Sequence, residues 1–209
     1  MPFTYDVTMF KETFEHEFTW LQGFMRNVHR FANQIAIEYP TSKQSWTYTQ
    51  VNWCSNQLAH AFQSDGVSKN DVVMYMLFNS PEFIFTYIAG HKIGAIGCPV
   101  NYRLSSGELA AIMEDSRPGI FIYDDALAKI VRSALDLSEY RPKRLICVHV
   151  SSEALSYESE SMRAIAFQKY CEGMSTDNPT PDELPHIYDE TTRLYTSGTT
   201  NRARAVPIN

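Results

Sequence analysis

At 209 residues the chain predicts one domain, or one and a part, and is long enough to bury a core without disulfides or a structural metal. Its 44% hydrophobic and 20% charged residues, with 9 Gly and 10 Pro, are ordinary globular usage and exclude a collagen-like, low-complexity or wholly disordered chain. Eighteen basic against 24 acidic residues leave a net charge of -6 and no basic stripe, so nucleic acid is not an expected partner.

Cys54, Cys98, Cys147 and Cys171 lie far apart, with no C-x-x-C pair and no His at ligand spacing. They read as reduced core thiols, neither a zinc site nor a secreted disulfide scaffold. The N-terminus is acidic and interrupted, unlike a signal peptide. The longest apolar stretches, residues 72–78 and 83–89, fall far short of the ~20 residues that span a bilayer. No transmembrane segment and a cytoplasmic location are expected.

Residues up to 39 read as one or two helical pieces, with Phe24, Val28 and Phe31 on one face, leading into a short apolar run at 35–39. A brief strand at 46–48 and a cap at Thr49 introduce a helix with Val51, Leu58 and Phe62 on its buried side, ended by Gly66. Residues 72–78 are apolar on both faces, as a central parallel strand requires. Ser80 then caps, and Pro81 opens, a helix through Phe83, Ile84, Tyr87 and Ile88.

The alternation repeats with a strand at 95–100 and a capping box at Ser105 and Glu108, after which Leu109, Ile112 and Met113 face inward. Pro118 and Gly119 stop that helix, 120–123 is the next strand, and Leu127, Ile130, Val131, Ala134 and Leu135 mark one buried helical face. Residues 145–150 form another buried strand. Segments 151–161 and 172–185 read as surface loops around a helix near 162–170. Asp124 and Asp125 read as a helix cap, and Glu158 and Glu160 as a solvated loop. Strand and helix alternating at short intervals predict a three-layer αβα architecture around a mostly parallel sheet.

Chemistry concentrates at the end of the chain. After an apparent strand through Leu194 and Tyr195 come Thr196, Ser197, Gly198, Thr199 and Thr200, four hydroxyl residues around one glycine. Such a loop can wrap an anion: the glycine lets the backbone approach, hydroxyls and N–H groups converge, and Arg202 and Arg204 add fixed positive charge. The G-x-x-x-x-G-K spacing of a Walker loop is absent. A polar hairpin with stray arginines is the competing reading of the cluster by itself.

That string resembles the phosphate loop of the adenylate-forming (AMP-binding) superfamily, approximately (Y)TSGTTGxPKG. Thr196 to Thr200 match it directly and Arg204 falls on its basic position. The resemblance extends upstream through SWTYTQVNWCSNQLAHAF, GVSKNDVVMYMLFNSPEF and KIGAIGCPVNYRLSSGELAAIMEDS, which are similar to successive blocks of acyl-CoA synthetases. It implies that residues 1–209 are the N-terminal part of an AMP-binding domain, with the C-terminal lid absent. It also implies a two-step ligase: a carboxylic acid, fatty or aryl, attacks the α-phosphate of ATP, and the thiol of coenzyme A then takes the acyl group from the acyl-adenylate.

By the same resemblance Thr196, Ser197, Gly198, Thr199, Thr200 and Arg204 cradle the phosphates, Thr200 meets Mg2+, and no catalytic acid or base is assigned. Negative charge building on the departing pyrophosphate is what such a cradle must stabilise. The expected partners are ATP, Mg2+, coenzyme A and a small carboxylic acid; oligomeric state is open, with a homodimer among the alternatives. The chain by itself is expected to be inactive.

Departures from the pattern are Asn201 for Gly, Ala203 for Pro, Arg204 for Lys and Ala205 for Gly, which together predict a less restrained loop. Two alternatives therefore stand beside the CoA ligase: a fatty-acyl-AMP ligase or peptide-synthetase adenylation domain, and a non-catalytic module kept for protein contacts. His60, His91, His149 and His186 are isolated and read as surface or capping residues, and Phe83, Phe85 and Tyr87 as core packing.

Overall fold

Helices α1 (Val7–Glu17) and α2 (Trp20–Arg30) open the computed structural model, which describes residues 7–148, 155–181, 183, 185–196 and 204–209. The apolar run that follows is a strand. β1 (Ile35–Tyr39) and β2 (Gln44–Thr47) pair antiparallel as a small sheet of their own. Next, α3 (Tyr48–Ser64) begins ahead of the expected cap at Thr49. The cap is Thr47: its Oγ1 accepts the Gln50 amide at 3.2 Å, and the Gln50 side chain accepts the Thr47 amide at 2.8 Å. This reciprocal pair satisfies two otherwise unpaired N–H groups, which decides where the helix starts.

The central unit alternates as expected: β3 (Val72–Met76), α4 (Pro81–Ile93), β4 (Ile96–Pro99), α5 (Ser106–Ser116), β5 (Ile120–Asp124), α6 (Ala128–Leu137) and β6 (Arg144–Val148). The expected capping box of α5 is present, with the Ser105 amide donating to Glu108 Oε2 at 2.8 Å and the Glu108 amide to Ser105 Oγ at 3.4 Å. At α4, Pro81 occupies the first turn, but the Ser80 hydroxyl makes no capping bond and is buried. Gly94 closes α4 at φ 71°, in the left-handed region where a side chain would also crowd Lys69.

Beyond β6 the sequence reading needs correction. In place of one helix near 162–170 there are two short ones, α7 (Tyr157–Ser161) and α8 (Phe167–Cys171), separated by the two-residue strand β7 (Ile165–Ala166). Part of the expected 151–161 loop is thus helical, while residues 149–154 lie outside the described residues. The described residues of segment 172–185 do run over the surface, but they are strapped down. Asn56, Gln57 and Gln63 of α3 donate to the carbonyls of Thr176, Met174 and Thr180 at 2.6, 3.3 and 3.0 Å. Amide side chains here satisfy an extended, proline-containing chain that has no sheet partner.

The last two strands are β8 (Thr192–Thr196) and β9 (Arg204–Ile208). Among the described residues the main sheet has the order β7-β6-β5-β3-β4-β8-β9, parallel throughout except for β8–β9. β3 is buried over its whole length because both faces are covered. Val73 and Tyr75 join Ile120, Ile122 and Ile146 in a core under α3, α4 and α8; Val72, Met74 and Met76 join Phe121, Tyr123 and Cys147 under α5 and α6. From β3 the chain steps to β4 and then crosses back to β5, so right-handed crossovers deliver α4 to one face and α5 and α6 to the other. The result is the three-layer α/β architecture read from the sequence. Among the described residues no helix is long and apolar enough to cross a membrane.

Candidate functional site

A parallel sheet aims all its strand ends at one edge, and ligands bind there, beside the point where strand order reverses. In this fold the reversal lies between β3 and β5, and β8 reaches the same edge because it runs parallel to β4. Its entry into the sheet depends on Gly97. The Gly97 amide donates to the Thr191 carbonyl at 2.9 Å, and Gly97 is the register partner of Thr192. A Cβ at Gly97 would lie 3.3 Å from the Tyr75 hydroxyl, tighter than ordinary contact, so the missing side chain leaves room for that buried phenol beside the pairing with Thr192.

From there β8 and β9 form an antiparallel ladder running from Thr192–Ile208 to Thr196–Arg204. Two of the sequence-predicted site residues, Thr196 and Arg204, are therefore register partners on its last rung, both exposed. Residues 197–203 connect the two in the sequence. Ser197, Gly198, Thr199 and Thr200, and with them Asn201, Arg202 and Ala203, lie outside the described residues. Ala205 sits in the ladder opposite Tyr195. In a strand, alanine has less conformational freedom than glycine, so at this position the substitution restrains the chain and the expected loosening is corrected.

The two faces of the hairpin differ. Thr196, Leu194, Arg204, Val206 and Ile208 share one face and are exposed, by the two-residue alternation of strands. On the other face the Tyr195 hydroxyl donates to Asp115 Oδ2 at 2.5 Å, and its ring packs on the α5–α6 core. Burial, and then the Asp115 carboxylate, push the Tyr195 hydroxyl well above its ordinary range, so it stays a donor. Arg193, also on that face, is held bidentately by Glu190 at 2.7 Å through both nitrogens.

A hydroxyl and a guanidinium side by side, with no carboxylate on the same rung, are a donor set suited to phosphate oxygens. Other candidate chemistry is accounted for elsewhere. Burial pushes the thiols of Cys98, Cys147 and Cys171 up to about 12, so they are protonated and unreactive at neutral pH. Asp124 caps the turn at Ala126 as expected, at 3.0 Å. Burial opposes the charge on Asp125, yet bonds from Ser156 and Ser159, each 2.7 Å, and from Cys147 outweigh it and hold the carboxyl below its ordinary range. Among the described residues no group of three or more His, Cys, Asp or Glu could hold a metal ion, and Thr200 lies outside them.

The histidines are bonding residues. His60 meets the Asp177 carbonyl at 3.0 Å and His186 meets Glu15 at 3.1 Å, while His149 lies outside the described residues. His91 departs from a surface role: it is buried, with Nδ1 on the Tyr87 carbonyl at 2.9 Å and its ring against Trp20 and Tyr87. Burial holds its pKa below the ordinary imidazole value, which keeps it neutral. Phe85 is core, with Phe83 and Tyr87 packed against it. What the sequence reading missed is the support of the hairpin, namely Gly97, Asp115 and Glu190. Tyr195 alone carried a signal, since strand alternation places it on the face opposite Thr196.

This arrangement defines an α/β protein with a hairpin at the carboxyl edge of a mostly parallel sheet. A family model described as AMP-binding enzyme matches residues 24–209, and the chain belongs to that family. It is 31% identical over 165 residues to the crotonobetaine/carnitine–CoA ligase of Salmonella arizonae, covering 79% of this chain and 31% of that protein. It is 28% identical over 196 residues to the peroxisomal benzoate–CoA ligase of Arabidopsis thaliana, covering 86% and 31%. Among solved structures, an anthranilate CoA ligase in complex with anthranoyl-AMP superposes with a TM-score of 0.78 at 21% identity, over 90% of this chain and 34% of that one. The chain spans about a third of the length of the curated relatives it matches.

Proposed function

We propose that this chain supplies the phosphate-gripping part of an ATP-dependent acid–thiol ligase. In that reaction a carboxylate attacks the α-phosphorus of ATP and pyrophosphate leaves; the thiol of coenzyme A then attacks the acyl carbon and AMP leaves. The observation that carries the reading is the Thr196–Arg204 rung at the carboxyl edge, within a chain matched to the AMP-binding family over residues 24–209. Thr196 and Arg204, with Ser197, Gly198, Thr199 and Thr200 of the intervening segment, would donate to the β- and γ-phosphates. They would stabilise the charge that grows on the leaving pyrophosphate without moving a proton.

Mg2+ at Thr200 would neutralise part of the same charge when bound. An acyl or aryl acid is the substrate class favoured by the CoA ligases this chain is similar to. Because the chain spans about a third of their length, residues 1–209 by themselves are expected to lack the activity.

The test is carboxylate-dependent exchange of labelled pyrophosphate into ATP, in the polypeptide that carries the activity. Thr199→Ala together with Arg204→Ala should abolish it while leaving the fold intact. An unchanged rate would refute the phosphate role and favour a scaffold kept for protein contacts. Coenzyme A compared with a carrier protein as acyl acceptor separates the CoA ligase from a carrier-loading relative. Exchange by residues 1–209 alone would overturn the expectation that they are inactive.

A further inference from the structure

The distal half of β8 has little to hold it. Among the described residues Gly97–Thr192 is the one register pair between β4 and β8, so past Thr192 the strand has a ladder neighbour only in β9. β9 in turn is exposed along its whole length. Arg193 is held by Glu190, a neighbour in the same segment. Among the described residues, beside the packing of the Tyr195 ring on the α5–α6 core, one side-chain hydrogen bond from this half of β8 reaches another element. It is the bond from the Tyr195 hydroxyl to Asp115, in the last turn of α5.

We propose that Asp115 is a positioning residue for the Thr196–Arg204 rung, acting through Tyr195 to fix the end of β8. Tyr195 immediately precedes Thr196, so any shift of the phenol is passed to the last rung and to Arg204 across it. The acceptor is a carboxylate, and a charge-assisted bond is stronger than a neutral one. The inference rests on the phosphate role proposed above, because only then does the placement of that rung affect a reaction.

The experiment compares Tyr195→Phe, Asp115→Ala, Asp115→Asn and the double variant Tyr195→Phe/Asp115→Ala. In pyrophosphate exchange, Tyr195→Phe and Asp115→Ala should each raise the KM for ATP roughly three- to tenfold, with the KM for the acid unchanged. The double variant should be no worse than either single one, because both remove the same bond. Asp115→Asn, which keeps an acceptor oxygen, should recover most of the loss. In residues 1–209, amide hydrogen exchange should quicken at 194–196 and 205–206 and stay as it was in β3 and α5. Additive effects, an unmoved KM for ATP, or an Asn variant as poor as Ala would overturn the proposal. If the parent polypeptide shows no exchange at all, the ligase reading fails; the amide-exchange cycle on residues 1–209 still judges the tether, and unchanged protection at 194–196 would refute it.

Discussion

Thr196 and Arg204 face each other across the last rung of the β8–β9 ladder, so a ligand held by one is within reach of the other. Arginine stands here on the family's lysine position and offers a planar fork in place of a compact ammonium. Arg204→Ala should lower carboxylate-dependent pyrophosphate exchange by about 10²–10³-fold, the usual cost of removing one donor from developing charge. Arg204→Lys should retain most of the rate. The side chain is exposed, so neither variant should shift the melting temperature. An Ala variant with parental exchange would remove Arg204 from the site.

Gly97 gives a second, structural handle on the same hairpin. A valine there must push against the Tyr75 hydroxyl, 3.3 Å from the Cβ position, and the Tyr75 ring is buried in the core with little room to give way. Gly97→Val should cost about 2 kcal/mol in urea unfolding. Amide exchange should localise the effect to β4 and its pairing with Thr192, ahead of β5 or β6. Parental stability would mean that Tyr75 gives way without cost.

Much of this architecture is legible along the chain because local and long-range signals agree. Residues 72–76 are apolar on both faces and are buried on both faces; the Ser105–Glu108 box forms as its spacing requires. Legibility fails where the deciding partner is distant in sequence. Nothing near residue 172 announces that α3 amides will strap 174–180, and nothing near Asp115 announces Tyr195. The hairpin's chemistry can be read from its hydroxyls and arginine, whereas its place in the sheet comes from backbone pairing with Gly97 on another strand.

The start of α3 tests a local misreading. Two threonines compete for the cap, and the structure gives it to Thr47, whose Gln50 partner completes the box. Thr47→Ala should therefore cost about 1 kcal/mol, and Thr49→Ala clearly less. Equal costs in chemical denaturation would argue that the reciprocal bond contributes nothing.

The buried thiols predict a weakness at high pH. Cys98, Cys147 and Cys171 are raised from the ordinary 9.0 to about 12, so the native state keeps protons that the unfolded chain releases. Their stabilising contribution is complete below pH 9 and is lost as pH rises from 9 towards 12, at about 1.4 kcal/mol per pH unit for each thiol. Cys171→Ala should show a slope shallower by about that amount between pH 9.5 and 11. An identical slope would mean that Cys171 ionises equally in both states.

Lys92 works with the opposite sign. Its amine is buried between α3 and the strapped segment, donating to Asn52 Oδ1 at 2.8 Å and Asn178 Oδ1 at 3.3 Å, with Met25 and the Phe24 ring beside it. Burial lowers its pKa from 10.5 to about 8. Between those values the unfolded chain holds a proton that the native state has given up, so the Lys92 contribution to stability rises with pH. Lys92→Met lacks that titration. In parallel urea titrations the parent should gain on the variant by on the order of 2 kcal/mol between pH 8 and 9.5. Taking the difference between the two proteins cancels the thiols, which titrate alike in both. A difference that stays constant across that window would show that the amine keeps its ordinary affinity for a proton inside the fold, and that the two asparagine oxygens compensate fully for its burial.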